Sequence, residues 1–237
     1  MSASPLLTVE GIDVCYGASQ ILFGVGFTVE RGQTMALLGR NGAGKSTTFK
    51  AIIGILAPRA GTISFGDRRI DGEPPFRIAR AGIGYVPEDR QVFPHHTVED
   101  NLVIGARGHD SAAPWTLDRV YKVFPILANL RTRMAGRLSG GEQQLLTIAR
   151  TLMGNPDLVL LDEPSEGLAP IVVQSIGRLL VELREAGVTV LMAEQNMHFC
   201  LRVATHATII DKGEIVFGST IEELRKNDEI THRYLAV

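Results

Sequence analysis

The segment Thr34–Leu38 is an unbroken apolar run, and it leads straight into Gly39-Arg-Asn-Gly-Ala-Gly-Lys-Ser46. A run without polar alternation predicts a parallel strand buried on both faces. The residues after it match the P-loop pattern G-x-x-x-x-G-K-[ST] at every fixed position, and a helix is expected from there to about Gly54. The loop chemistry is equally specific. Gly42 and Gly44 let backbone N–H groups turn inward around phosphate oxygens, and the helix N-terminus adds a favourable dipole. Lys45 is the residue to bridge β- and γ-phosphates, and the Ser46 hydroxyl the one to ligate Mg²⁺. A glycine-rich turn that merely joins strand to helix is the plainer reading, and Lys-Ser at the right offset argues against it.

The rest of the chain fits around this unit. Its 237 residues suit one domain with room for a subdomain, at roughly 150 residues per domain. Lys plus Arg total 24 against 26 Asp plus Glu, a net charge of −2 that lacks the basic excess of a general nucleic-acid binder. Two distant cysteines, Cys15 and Cys200, predict buried reduced thiols and no disulfide framework or zinc site. The stretch from Met1 to Tyr16 lacks a basic n-region and carries Glu10 and Asp13, which argues against a signal peptide. The longest apolar runs fall far short of the ~20 residues a spanning helix needs. A soluble, cytosolic chain is expected, held at any membrane by something else.

Strands are expected over Leu7–Tyr16, Ile21–Val29, Gly61–Gly66 and Ile83–Val86. Between Glu88 and Leu138 the pattern turns helical, over Thr97–Ala106 and Leu117–Leu127, which marks a candidate subdomain at about 89–138. Alternation then resumes. A helix over Glu142–Met153 aligns Leu145, Ile148, Ala149 and Leu152, and Leu158–Leu161 reads as a buried strand. Pro170–Ala186 is a helix with Pro at its start and Gly187 as its stop, aligning Val172, Ile176, Leu179, Leu180 and Leu183. Val188–Ala193 is another buried strand, and Thr208–Asp211 with Glu214–Phe217 form a late hairpin across Lys212-Gly213.

A P-loop alone leaves kinases, GTPases and ATPases open. The second element is Leu158-Val-Leu-Leu-Asp162-Glu163, where a buried strand delivers carboxylates at its C-terminal end, the edge at which open α/β sheets build sites. Asp162 suits Mg²⁺ and Glu163 suits polarising an attacking water. No NKxD motif occurs, which weakens the GTPase option. The third element is Leu138-Ser-Gly-Gly-Glu-Gln143. Ser139 and Glu142 form a capping box, and the two glycines expose N–H groups to any anion.

With this third element the chain resembles the ATP-binding cassette (ABC) ATPases, whose LSGGE signature lies between the P-loop and the carboxylate strand. The resemblance spans nearly the whole chain. It implies a P-loop NTPase (RecA-like) core with an N-terminal antiparallel β subdomain and a helical subdomain. It also implies an ATP and Mg²⁺ site, with Tyr16 stacked on adenine and Gly39, Arg40, Asn41, Gly42, Ala43, Gly44, Lys45, Ser46 and Thr47 around the phosphates. Ser46, Asp162 and Glu88 are the implied metal ligands. Glu163, Gln195 and Glu88 are the implied catalytic residues. Ser139, Gly140, Gly141, Glu142 and Gln143 face the ATP of a second subunit, and Ser165, Glu166, Gly167 and Leu168 form the loop linking the two sites. One P-loop and one signature per chain imply a dimer, with itself or with a companion ABC ATPase.

Two positions depart from the general pattern. Glu88 stands where the family usually has Gln, and Gln195 where it usually has a switch His. A carboxylate can ligate Mg²⁺ at least as well as an amide oxygen, whereas Gln195 can donate a hydrogen bond but cannot shuttle a proton. With Val86-Pro-Glu-Asp-Arg-Gln-Val-Phe-Pro94, Ser139-Gly-Gly-Glu-Gln-Gln144, Glu163-Pro-Ser-Glu-Gly-Leu-Ala-Pro170 and Ala193-Glu-Gln-Asn196, these departures are similar to one subfamily, the LivF-type ATPases of high-affinity branched-chain amino acid importers. That implies two permease subunits, a periplasmic binding protein reached indirectly, and a peripheral position on the cytoplasmic face of the inner membrane. Relatives carrying urea, amides or aromatic acids are the alternative, and a soluble non-transport ABC ATPase a remote one. An inactive binding module is a further class, opposed by intact Lys45, Asp162 and Glu163. His95-His96, Arg68-Arg69 and Arg131–Arg137 read as solvated surface, and Trp115 as a packing residue.

Overall fold

The computed structural model describes residues 5–107, 114–230 and 233. The first strands, β1 (Leu7–Tyr16) and β2 (Ser19–Val29), form an antiparallel hairpin. β3 (Thr34–Leu38) follows, then α1 (Lys45–Ile52), β4 (Ala60–Phe65) and the two-residue β5 (Arg68–Arg69). α2 (Pro75–Ala81) precedes β6 (Ile83–Val86). α3 (Val98–Gly105), α4 (Leu117–Val123) and α5 (Pro125–Asn129) then interrupt the alternation. It returns with α6 (Gly140–Leu152), β7 (Leu158–Asp162), α7 (Pro170–Glu185), β8 (Thr189–Glu194) and α8 (Met197–Val203). β9 (His206–Asp211), β10 (Glu214–Thr220) and the short α9 (Ile221–Arg225) and α10 (Asp228–Ile230) complete the order.

Two sheets result. One is antiparallel, in the order β2-β1-β4-β5; the other runs β10-β9-β3-β8-β7-β6 and is parallel except for β10. Every residue of β3, β7 and β8 is buried: their apolar runs as burial on both faces requires, and with them the polar ends Thr34, Asp162, Thr189 and Glu194. Their side chains alternate between two cores. Met35, Leu37, Leu158, Leu160 and Leu191 face α1 and the antiparallel sheet. Ala36, Leu38, Val159, Leu161, Val190 and Met192 face the apolar stripes of α6 and α7. The expected α/β core with an N-terminal antiparallel sheet is therefore present. Among the described residues no helix is long and apolar enough to cross a membrane.

The structure corrects several expectations. Leu117–Leu127 is two helices, because Pro125 cannot donate and pushes Phe124 out of the helical region, to φ −118° and ψ 70°. β2, β4, β9 and β10 begin or end beyond their apolar runs, since ladder hydrogen bonds do not require apolar side chains. α6 starts at Gly140, two residues early, on the capping box expected of Ser139 and Glu142. α2 and α8 were not expected; each has seven residues, too short for a helical period to show. Cys200 is buried, but Cys15 is only half-buried near the β1–β2 turn; both are free thiols. Part of the interval 89–138, residues 108–113, lies outside the described residues. Trp115 is buried beneath the Arg119 guanidinium, 4.5 Å from its ring, and its packing role holds.

Candidate phosphate-binding and catalytic site

At the C-terminal edge of the parallel sheet, β3 gives way to the P-loop and α1. Gly42 (φ 80°) and Gly44 (φ 113°) adopt backbone conformations that L side chains rarely reach, which turns the loop back over the helix start. A cavity of about 370 Å³ opens there, lined by Asn41, Gly42, Gly44, Lys45, Ser46 and Thr47. Tyr16 and Ile21 from the β1–β2 hairpin, with Glu88, Glu163 and Glu166, complete its wall. The exposed Tyr16 ring therefore stands where an aromatic base could stack. Gly39, Arg40 and Ala43 do not line the cavity. Gly39 and Ala43 are packed beneath the loop and Arg40 is exposed.

Lys45 is buried, and its three donors are used. Nζ donates to the carbonyls of Gly39 at 2.8 Å and Arg40 at 3.1 Å, and lies 2.8 Å from Glu163 Oε1. Asp162, at the end of β7, accepts from Ser46 Oγ at 3.0 Å on Oδ1 and from Tyr85 OH at 3.1 Å on Oδ2. Burial raises the pKa of Asp162, opposed by the Ser46 and Tyr85 bonds and the Lys45 charge. It raises Glu163 likewise, opposed by its bond and attraction to Lys45. Tyr85 is pushed up by burial and then by the Asp162 carboxylate beside it. Ser46 Oγ, Asp162 and the Glu88 carboxylate on the wall are hard oxygen donors. They fit Mg²⁺, which takes one or two carboxylates together with phosphate oxygens. Among the described residues no three His, Cys, Asp or Glu side chains converge, so an ion held here would draw on the phosphates too.

Glu163 follows the strand with a positive φ of 49°, its N–H donating to Ala193 O at 2.9 Å. The turn that follows exposes Glu166 and holds Ser165 buried, its N–H donating to Glu194 Oε1 at 2.9 Å. Gly167 is exposed and Leu168 half-buried. Gln195, beyond β8, is exposed and does not line the cavity.

The signature residues 139–143 do not line this cavity either. Ser139 N–H donates to Glu142 Oε2 at 2.6 Å and Glu142 N–H to Ser139 Oγ at 3.3 Å, closing the capping box. Gln143 donates to Ala135 O at 3.2 Å. A Cβ on Gly141 would lie 2.6 Å from Val172 Cγ2, so this glycine lets α6 and α7 approach. Over Gly140 lies the Arg90 guanidinium, whose Nη2 also donates to Glu166 O at 3.3 Å.

Three residues of this constellation received no role from the sequence, although Glu194 and Arg90 lie within motifs that carry the resemblance. Glu194 closes an apolar strand just as Asp162 does, and that signal was available. Tyr85 is a polar tip on a strand read only as buried, and Arg90 sits in a loop without periodicity. Both become visible only through partners far along the chain.

The profile of the family described as ABC transporter matches residues 22–166. The high-affinity branched-chain amino acid transport ATP-binding protein BraG of Pseudomonas aeruginosa is 39% identical over 97% of this chain and 99% of its own length. The lipopolysaccharide export system ATP-binding protein LptB of Escherichia coli is 35% identical over 97% of this chain and 96% of its own. Among solved structures, an ATP-binding cassette of an ABC transporter in its ADP conformation superposes with a TM-score of 0.82 at 30% identity, covering 95% of this chain and 94% of that one. With its P-loop, carboxylate strand and signature helix in one fold, this chain belongs to the ATP-binding subunits of ABC transporters, the family that hydrolyses ATP to drive transport.

Proposed function

We propose that this chain is the ATPase of an importer for branched-chain amino acids or related small amino acids and amides, working at the cytoplasmic face of the membrane. The observation that carries the reading is the full-length 39% identity to BraG. Glu88 and Gln195, the two departures from the common family pattern, support it.

In this reading Lys45 leaves Glu163 for the β- and γ-phosphates, and the P-loop N–H groups and α1 N-terminus hold the remaining oxygens. Ser46, Asp162 and Glu88 would hold Mg²⁺, which would supply charge neutralisation at the phosphates when bound. Glu163, released by Lys45 and still buried, takes a proton from the attacking water. Gln195 donates to the γ-phosphate. The first turn of α6, with Ser139, Gly140 and Gly141, closes over the ATP of a facing subunit, which is why it stands off its own cavity. Ser165–Leu168 connect the two sites. The whole chain acts as one nucleotide-binding domain, with the interval 89–138 as the helical part that meets a permease.

The test is to purify the membrane complex, identify its permeases and binding protein, and titrate that binding protein with amino acids and amides by thermal shift. Stabilisation by leucine, isoleucine or valine is expected. A second reading, an export ATPase, is favoured by the 35% identity to LptB; a complex that co-purifies without any solute-binding protein and extracts lipopolysaccharide would establish it instead.

A further inference from the structure

Glu194 ends β8 at 1% exposure, and among the described residues no cation lies within ion-pair distance of its carboxylate. A carboxylate so placed must be held by other donors. Two backbone N–H groups do so here, and the Ser165 side chain adds to the hold. Oε1 accepts from Ser165 at 2.9 Å and Oε2 from Asn196 at 3.3 Å. Asn196 in turn caps α8, its Oδ1 accepting from Phe199 N–H at 3.0 Å. The main chain around Glu194 is tied to the rest of the site. Its own carbonyl accepts from Gly39 N–H at 3.2 Å, and that of Ala193 accepts from Glu163 N–H at 2.9 Å. Gln195 lies between Glu194 and Asn196, exposed, its side chain bonded to none of the described residues.

The geometry points to Glu194 as a positioning residue, the joint through which the loop at Ser165 and the loop carrying Gln195 move as one body against the P-loop. The chemistry of the side chain explains the choice of residue. A carboxylate offers an acceptor to each of two N–H groups. An amide of the same shape offers one acceptor and one donor, so Gln here sets a donor against a donor. Aspartate is one methylene shorter and cannot keep both bonds. The catalytic meaning of the two loops rests on the function proposed above; the joint itself does not.

Hydrogen exchange on the full chain tests it, comparing Glu194→Gln and Glu194→Asp with the parent. Peptides over residues 163–168 and 195–199 are expected to exchange about tenfold faster together, with those over 40–47 and 158–161 unchanged. In the assembled transporter, kcat for ATP should fall about tenfold with KM unchanged. Acceleration of only one loop, of neither, or of the whole sheet alike would overturn the joint, as would a raised KM at unaltered kcat. If Glu194→Gln does not fold, Glu194→Asp read the same way decides. A parental complex that hydrolyses no ATP would count against the proposed function, while the exchange result would still judge the joint.

Discussion

At the scale of single residues, the site turns on the contact between Lys45 and Glu163. It is buried on both sides, so neither partner is screened by water. A phosphate and a carboxylate compete for one ammonium, which makes binding and catalysis separable by mutation. Glu163→Gln is expected to lower hydrolysis by about 10²–10⁴-fold. It should also tighten ATP binding, since Lys45 loses its competing anion. Single-turnover hydrolysis and titration with a fluorescent ATP analogue check the two parts. Lys45→Ala should abolish nucleotide binding. It also leaves Glu163 without its cation, and a buried acid then resists ionising more strongly. The resulting loss of stability should be small near pH 5 and grow to about 3 kcal/mol at pH 8, the scale for breaking a buried pair. Urea unfolding at the two pH values measures it, and an equal loss at both would contradict the ion-pair account.

At the scale of elements, the signature glycines have structural work besides any anion binding. Gly141 permits the close approach of α6 to Val172 on α7, and Val172 is β-branched and stiff. Gly141→Ala should therefore cost about 1–3 kcal/mol, seen as a lower urea midpoint at unchanged slope. Gly140 faces the tip of the long Arg90 side chain, which can swing aside, so Gly140→Ala should cost much less stability. The contrast between the two adjacent positions is the measurement. Asn101 shows the same logic in polar form. It is fully buried, its Oδ1 accepting from Phe93 N–H at 2.9 Å and its Nδ2 donating to the carbonyls of Phe93 at 3.1 Å and Thr97 at 2.9 Å. It pins the loop after β6 to α3, and nothing in its local sequence announces that.

At the scale of the molecule, the buried acids under the sheet edge set a pH dependence. Burial pushes Glu194 up to about 7 from an ordinary 4.5, with Glu163 adding repulsion and the Ser165 and Asn196 bonds opposing. Glu163 and the buried Cys200 are the titratable groups coupled to it. A carboxyl raised in the fold costs stability once it ionises. The cost is absent below about pH 4.5 and complete above about pH 7. Stability should thus fall by about 3 kcal/mol across that window from Glu194 alone. Chemical denaturation at half-unit pH steps measures the slope, and Glu194→Gln should flatten it.

Much of this was legible in the sequence, and for identifiable reasons. The P-loop, the Asp162-Glu163 strand end and the capping box at Ser139 are local patterns in which a few adjacent residues determine the backbone, and the structure forms all three. Unbroken apolar runs revealed β3, β7 and β8 because burial on both faces leaves no polar alternation. What adjacent residues cannot encode is which distant atoms meet. The Tyr85 bond to Asp162, the Arg90 bridge to Glu166 and the buried carboxylate of Glu194 each join segments that only the order of the parallel strands brings together. Sequence alone determined the fold class, the phosphate loop and the signature. Tertiary structure decided how the acids at the sheet edge are paired, because desolvation and hydrogen bonding depend on what packs against a side chain, not on its neighbours in the chain.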